Sequence, residues 1–254
     1  MTFHDTKIKG VILAGGKGTR LFPLTKVTNK HLLPVGKEPM IYHPVKQLTG
    51  AKIHDILVIT STDHMGEVVN LLGSGKDFNC EFTYKVQEEA LGIAHALALA
   101  ENFAKGERIA VLLADNIFEW TIKPYVERFL SQKSGARVLL KSVNDPQRFG
   151  IAALDEYHVI AIEEKPKQPK SSYAVVGAYF YDQKVFDIIH DTSISERGEY
   201  EITAVNNEYI RIGQLEYDII QGGWTDAGTF ESWIEANQIL LRNNNCILGI
   251  SEDE

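Results

Sequence analysis

Residues 10–20 read GVILAGGKGTR, and their reading decides the fold. Val11, Ile12 and Leu13 are a short apolar run of strand-forming residues, after which the chain breaks at Gly15, Gly16 and Gly18 and reaches Arg20. A buried strand that ends in a glycine turn is how an open α/β sheet presents a ligand site at the carboxyl ends of its strands. Glycines there let the backbone come close to a bound group, whose negative charge the N–H groups can cradle. Lys17 and Arg20 add fixed positive charge, which points to a phosphate. A glycine-rich turn without a ligand is the plainer alternative for the same letters.

Two familiar glycine-loop motifs do not fit. A dinucleotide fingerprint, GxGxxG, needs glycine three residues after Gly18, where Leu21 stands. A P-loop needs its lysine followed by Ser or Thr, and Lys17 is followed by Gly18. Neither a nicotinamide-dinucleotide fold nor a kinase-type nucleotide triphosphatase is favoured.

Composition narrows the class further. The 254 residues, 44% hydrophobic and 24% charged, suit one globular domain of the larger kind. A formal net charge of −8 argues against general nucleic-acid binding, so a protein of this charge that handles phosphates must concentrate its cations locally or recruit a divalent metal. The two cysteines, Cys80 and Cys246, lie far apart and match no metal-ligand spacing, which suits a reducing, cytoplasmic setting. No apolar run reaches membrane-spanning length, and the start MTFHDTKIKG lacks the apolar segment of a signal peptide.

Strand-like and helix-like patterns alternate through the first half. Strands are predicted over 10–13, 56–59, 82–86, 109–113 and 137–142, and helices over 41–48, 65–72, 93–102 and 124–132. Such βαβ repeats predict a Rossmann-like, mainly parallel mixed sheet flanked by helices. After Phe149 the rhythm changes to strands over 151–154, 159–163, 173–181 and 215–220, with helices over 185–189, 202–212 and 229–241. The division expected is a core of about 8–145, a smaller α+β part of about 146–242 that carries part of the active site, and a frayed tail over 243–254.

Several positions can carry chemistry. Lys30 lies in a segment stiffened by Pro34 and Pro39, which can point it back toward the glycine loop, although a lone lysine is usually solvated. Gln87 ends a strand, and its carboxamide can match the edge of a pyrimidine; Gly92 leaves space for a planar ring, or simply caps the helix that follows. Asp115 and Asn116 follow the apolar run 109–114, where a carboxylate can hold Mg²⁺ or simply form a turn. Asp226, in GGWTDAGT, is a second carboxylate able to share that metal. Glu164, Lys165 and Arg197 read either as sugar-phosphate contacts or as ordinary surface charge. The eight histidines show no HxxxH or HExxH spacing.

In order along the chain, LAGGKGTRL, NKHLLPVGKEPMIY, VQEEALGIAHAL, LADN, RFGIA, EEKPKQPKSSYAVVGAYFYD, RGEYEIT and WTDAGT resemble the sugar-1-phosphate nucleotidyltransferases, and among them the glucose-1-phosphate thymidylyltransferases. The resemblance spans residues 10–229. It implies that Gly15, Gly16, Gly18, Thr19 and Arg20 hold the nucleotide phosphates, that Lys30 contacts the phosphates where bonds exchange, and that Gln87 and Gly92 meet the base. It likewise implies Asp115 and Asp226 as ligands of a Mg²⁺ cofactor, Asn116 near the sugar side of the nucleotide product, and Gly150, Glu164, Lys165, Val175 and Arg197 around the hexose phosphate. Arg20, Lys30 and Lys165 are then the catalytic cations. The reaction implied joins dTTP, or UTP, to glucose 1-phosphate to give dTDP-glucose and pyrophosphate for deoxysugars such as dTDP-rhamnose, in a homo-oligomer. A non-catalytic nucleotide-sugar-binding paralogue is the alternative of another class.

Three positions depart from the family pattern. Ala114 replaces a glycine before the metal aspartate, His31 a glutamine after Lys30, and Ala90 a proline before Gly92. The chain is also shorter than many thymidylyltransferases, which implies weak or absent feedback control through a C-terminal regulatory site.

Overall fold

The computed structural model describes residues 8–248, with side chains described as far as residue 242. Strand β1 (Ile8–Ala14) runs through the middle of a nine-stranded sheet. Its alternation builds both faces of the core, with Ile8, Ile12 and Ala14 packing into one apolar cluster and Val11 and Leu13 into the other. A central strand buried on both faces reads as a continuous apolar run, which is why 11–13 stands out in the sequence.

A small hairpin, β2 (Pro34–Val35) with β3 (Glu38–Pro39), leads into helix α1 (Tyr42–Gly50). Then come β4 (Asp55–Ser61), α2 (Met65–Leu72), β5 (Glu81–Gln87), α3 (Ile93–Ala98), α4 (Glu101–Ala104) and β6 (Arg108–Leu113). The single helix expected over 93–102 is two short ones. Leu99 and Ala100 donate to Ala96 and Leu97, three residues back, which tightens the turn, and the Leu99 carbonyl swings out to accept from Lys85 Nζ at 2.8 Å.

The remaining elements are β7 (Asn116–Phe118), α5 (Lys123–Ser131), β8 (Ala136–Ser142), β9 (Gly150–Leu154), β10 (Val159–Glu164), β11 (Tyr173–Tyr181), α6 (Lys184–Asp191), α7 (Ile202–Arg211), β12 (Leu215–Ile219), β13 (Trp224–Asp226) and α8 (Phe230–Leu248). Helix α8 passes through Asn243–Asn245, the start of the tail expected to fray; residues 249–254 lie outside the described residues. Among the described residues, no helix is long and apolar enough to cross a membrane.

The sheet is ordered β10-β9-β11-β6-β1-β4-β5, with β8 on β11 and β12 on β8. β1, β4, β5 and β6 are mutually parallel, and β11 is antiparallel to β6. β8 and β9 are antiparallel to β11, β12 is parallel to β8, and β10 is antiparallel to β9. Seven strands therefore point one way, with β10 and β11 opposed, which is the mainly parallel mixed sheet that the βαβ rhythm predicts. β8, on the core side of the expected division, pairs only with strands from the other side of it, so one sheet runs through both parts.

This topology opens a crevice. β8 covers one edge of β11, so β6, paired at residues 178–181, and β9, paired at Ala174, must share the other edge. Between those pairings, around Val175–Gly177, the two neighbours part. The ribbon of β7 and β13 places Asp226 opposite Asn116 beside this gap.

Gly135, between α5 and β8, has φ +97°, and a Cβ there would stand 2.2 Å from the Gln214 carbonyl oxygen. Gly135→Ala is expected to lower stability by about 2–4 kcal/mol through backbone strain and steric conflict. A reduced urea midpoint with an unchanged slope checks this.

Candidate active site

The loop after β1 has glycines because two side chains lie where Cβ atoms would be. A Cβ on Gly16 would stand 3.1 Å from Lys30 Cε, and one on Gly18, at φ +64°, 2.9 Å from Lys30 Cβ. A Cβ on Gly15 would come within 2.8 Å of Gln87 Oε1. The glycines thus admit a lysine and a carboxamide to the wall of one cavity. Thr25 Oγ1 braces the loop by donating to the Gly18 carbonyl at 2.9 Å. Thr19 and Arg20 begin the next turn on the exposed rim, and Arg20 reaches across so that a Cβ on Gly228 would lie 3.0 Å from its guanidinium.

Lys30 is buried, 8% exposed, on a 3₁₀ turn over Lys30–Leu32 that Asn29 caps by accepting from the His31 N–H at 2.8 Å. Its ammonium is paired with Asp115. Burial alone would push the Asp115 carboxyl up, but the Lys30 charge and hydrogen bonds from Lys30 and Asn116 hold it below the usual carboxylate range. Burial, reinforced by the same ammonium, lowers His31 to about 3, so the histidine beside Lys30 is neutral.

Asn116 ties this corner together. Its Oδ1 accepts from the Gly177 N–H at 2.9 Å and from Trp224 Nε1 at 2.8 Å, while Nδ2 donates to Asp115 Oδ1 at 2.9 Å. Asp226 receives Arg148 at 2.8 Å, and the Asp115 carbonyl accepts from the Ala227 N–H, also at 2.8 Å. Burial and the negative charge of Asp115 raise Asp226 to about 6, against the pull of Arg148, Arg20 and Lys30.

Two cavities meet at Asp115. One, of about 260 Å³, runs past the glycine loop and Lys30 to Gln87 and Gly92. The other, of about 180 Å³, lies in the gap along β11 and is lined by Gly150, Glu164, Lys165 and Val175, with Asp226 and Arg20 also in its wall. Glu164 is the fixed point of the second cavity: Thr203 Oγ1 donates to one oxygen at 2.6 Å and Arg197 to the other at 3.2 Å. A Cβ on Gly150 would meet that Glu164 oxygen at 3.2 Å. Lys165 adopts φ +46°, its N–H donating to the Phe149 carbonyl at 2.9 Å.

Most positions singled out in the sequence come together here; Arg197 is not among the residues lining the second cavity, and Gly18 and Thr19 line neither cavity. Glu164, Glu199 and Glu201 hold its guanidinium outside, at 3.2, 3.7 and 3.3 Å. Asn116 reaches the crevice, but its oxygen is already spent on Gly177 and Trp224. The sequence reading missed Arg148, which bridges Asp226 and Asp145, and also Thr203 and His95. Arg148 stands two residues before Gly150 in an already conspicuous segment, the one signal available for it.

The nucleotidyl transferase family model matches residues 9–243, and the chain belongs to that family. It is 41% identical over 233 residues to the glucose-1-phosphate thymidylyltransferase of Neisseria meningitidis, covering 90% of this chain and 81% of that protein. The enzyme of the same name from Mycolicibacterium smegmatis is 41% identical, covering 92% of this chain and 82% of its own length. A crystal structure from Bacillus anthracis, provisionally described as a glucose-1-phosphate thymidylyltransferase and bound to sucrose, superposes with a TM-score of 0.89 at 54% identity, covering 97% and 98% of the two chains.

Because the native state raises Asp226 above the ordinary 3.8, it retains a proton that the unfolded chain releases between about pH 4 and pH 6, and stability falls as pH rises through that window. Without metal, Asp226→Asn is expected to gain roughly 2–3 kcal/mol at pH 8 and nothing near pH 4. Urea unfolding in chelator at the two pH values reads the difference.

Proposed function

We propose that the protein transfers a thymidylyl group from dTTP to α-D-glucose 1-phosphate, giving dTDP-glucose and pyrophosphate. The observation that carries this reading is the pair of cavities joined at Asp115, one walled by a glycine loop and a carboxamide, the other by a carboxylate and backbone groups, with Lys30, Arg20, Arg148 and Lys165 around the junction. The names of the relatives supply the choice of thymidine and glucose.

The chemistry requires positioning more than bond-making by the protein. A sugar phosphate is already an ionised nucleophile near neutral pH, so its oxygen attacks the α-phosphorus directly and pyrophosphate leaves on the opposite side. Bringing two unit negative charges to about 4 Å costs roughly 4 kcal/mol at an effective dielectric near 20. Lys30 and Arg20 meet the triphosphate and Lys165 the sugar phosphate, and each offsets part of that repulsion. Glu164, held by Thr203, accepts hydrogen bonds from hexose hydroxyls. Gln87 and Gly92 receive the base.

Asp115 and Asp226 suit a Mg²⁺ ion. They are hard carboxylate donors of the number Mg²⁺ takes alongside substrate phosphates, and a divalent cation would offset both the burial and the Asp115 charge that raise Asp226. When bound, Mg²⁺ supplies further neutralisation of phosphate charge. Lys30 is paired with Asp115 and Arg148 with Asp226, so both cations stand beside the carboxylates that would hold the ion.

The test is pyrophosphate release across dTTP, UTP, CTP, ATP and GTP with several sugar 1-phosphates, with Mg²⁺ and with chelator. Turnover is expected with dTTP and glucose 1-phosphate, lost on chelation, and lowered at least about 100-fold in Asp115→Asn. No release with any pair supports a non-catalytic binding protein, and a preference for UTP moves the reading to uridylyl transfer.

A further inference from the structure

Gln87 is 8% exposed, and the way its amide faces is set from behind. Nε2 lies 3.3 Å from the Gly92 carbonyl oxygen, which can only accept, so the NH₂ end must be the end that points there. The same nitrogen lies 3.0 Å from His95 Nδ1, which must then be the unprotonated ring nitrogen. Both amide hydrogens are engaged. Oε1 is left on the other side against Gly15, whose missing Cβ would stand 2.8 Å away, and among the described residues it receives no hydrogen bond. His95 lies on α3 outside the cavity lining and is steadied by stacking on Tyr200, ring centroids 6.1 Å apart at 24°.

We propose that His95 is a positioning residue that sets base preference by holding the Gln87 amide with its carbonyl, not its NH₂, toward the nucleobase. The inference rests on the nucleotidyl-transfer reading above, in which Gln87 meets the base. A free carboxamide does not discriminate well among pyrimidines, since by turning over it can pair with the N3–H edge of thymine or uracil or with the N3 lone pair of cytosine. Held by His95 and the Gly92 carbonyl, it offers only an acceptor. Thymine and uracil present N3–H to that oxygen, whereas cytosine brings a lone pair against it. To use the same oxygen through its exocyclic amine, cytosine has to shift from the place where the triphosphate anchors it.

The experiment compares kcat/KM for dTTP, dUTP and dCTP, with glucose 1-phosphate as acceptor, in the wild type and in His95→Phe, His95→Leu and His95→Gln. Phenylalanine keeps a ring on Tyr200 but has no acceptor, and leucine repeats the loss with another shape should the first variant not fold. Glutamine keeps an acceptor. The wild type is expected to favour dTTP and dUTP over dCTP by about 100-fold, in the range set by one recognition contact. His95→Phe and His95→Leu should narrow that ratio at least about tenfold through the KM for nucleotide, with the KM for glucose 1-phosphate unmoved, and His95→Gln should restore it. An unchanged ratio in the phenylalanine or leucine variant overturns the role of His95 and leaves the reaction standing. A wild type that turns over none of the three overturns the reaction, and the role of His95 with it.

Discussion

The site depends on the three hydrogen bonds of the Asn116 carboxamide. Its oxygen takes the Gly177 N–H of β11 and the Trp224 indole of β13, and its nitrogen steadies Asp115 at the end of β6. Gly177 has to be glycine, because a Cβ would stand 2.6 Å from the Asn116 side chain. Removing the carboxamide would strand two buried donors at about 1–3 kcal/mol each. Three strands that are remote in sequence are thereby joined at one point, and their junction fixes where Asp115 and Asp226 stand relative to the gap along β11.

The second constraint is electrostatic. A chain of net charge −8 must gather its cations to hold anions, and several of the cations near the crevice are paired with carboxylates. Lys30 rests on Asp115, Arg148 on Asp226, and Arg197, with Lys165 3.9 Å away, on Glu164. The buried Lys30–Asp115 pair contributes little net stability because desolvation consumes much of the attraction, and the more exposed pairs contribute little because solvent screens them. In the proposed reaction their value lies in pre-organisation: Lys30, Arg148 and Lys165 already line the two cavities. Burial, and after it the negative charge of Asp115, holds Asp226 above the usual carboxylate range.

Much of this was legible in the sequence, for reasons that differ from element to element. β1 and its glycine turn stand out because a strand buried on both faces has a continuous apolar signature and the turn beside it is crowded by Lys30 and Gln87. β7 and β13 are three residues each, too short for periodicity, yet they bring Asp226 to Asn116. Arg148 carries no local signal of its role because its partner, Asp226, lies 78 residues away. His95 sits on an ordinary helix face, and its link to Gln87 appears only when the orientation of the amide is traced. Arg197, whose type and neighbourhood fit a phosphate contact, is ion-paired to Glu164, which lines the second cavity, with Glu199 and Glu201 also beside it.

In the proposed reaction the crevice holds both anions at once and needs no protein nucleophile, which allows a single displacement at the α-phosphorus. The most direct measurement is the stereochemical course with dTTP carrying sulfur at one chosen position on the α-phosphorus. One in-line step inverts that centre, and dTDP-glucose containing the inverted thiophosphate is the predicted product. Retention would mean two displacements through a nucleotidylated protein group and would contradict the account.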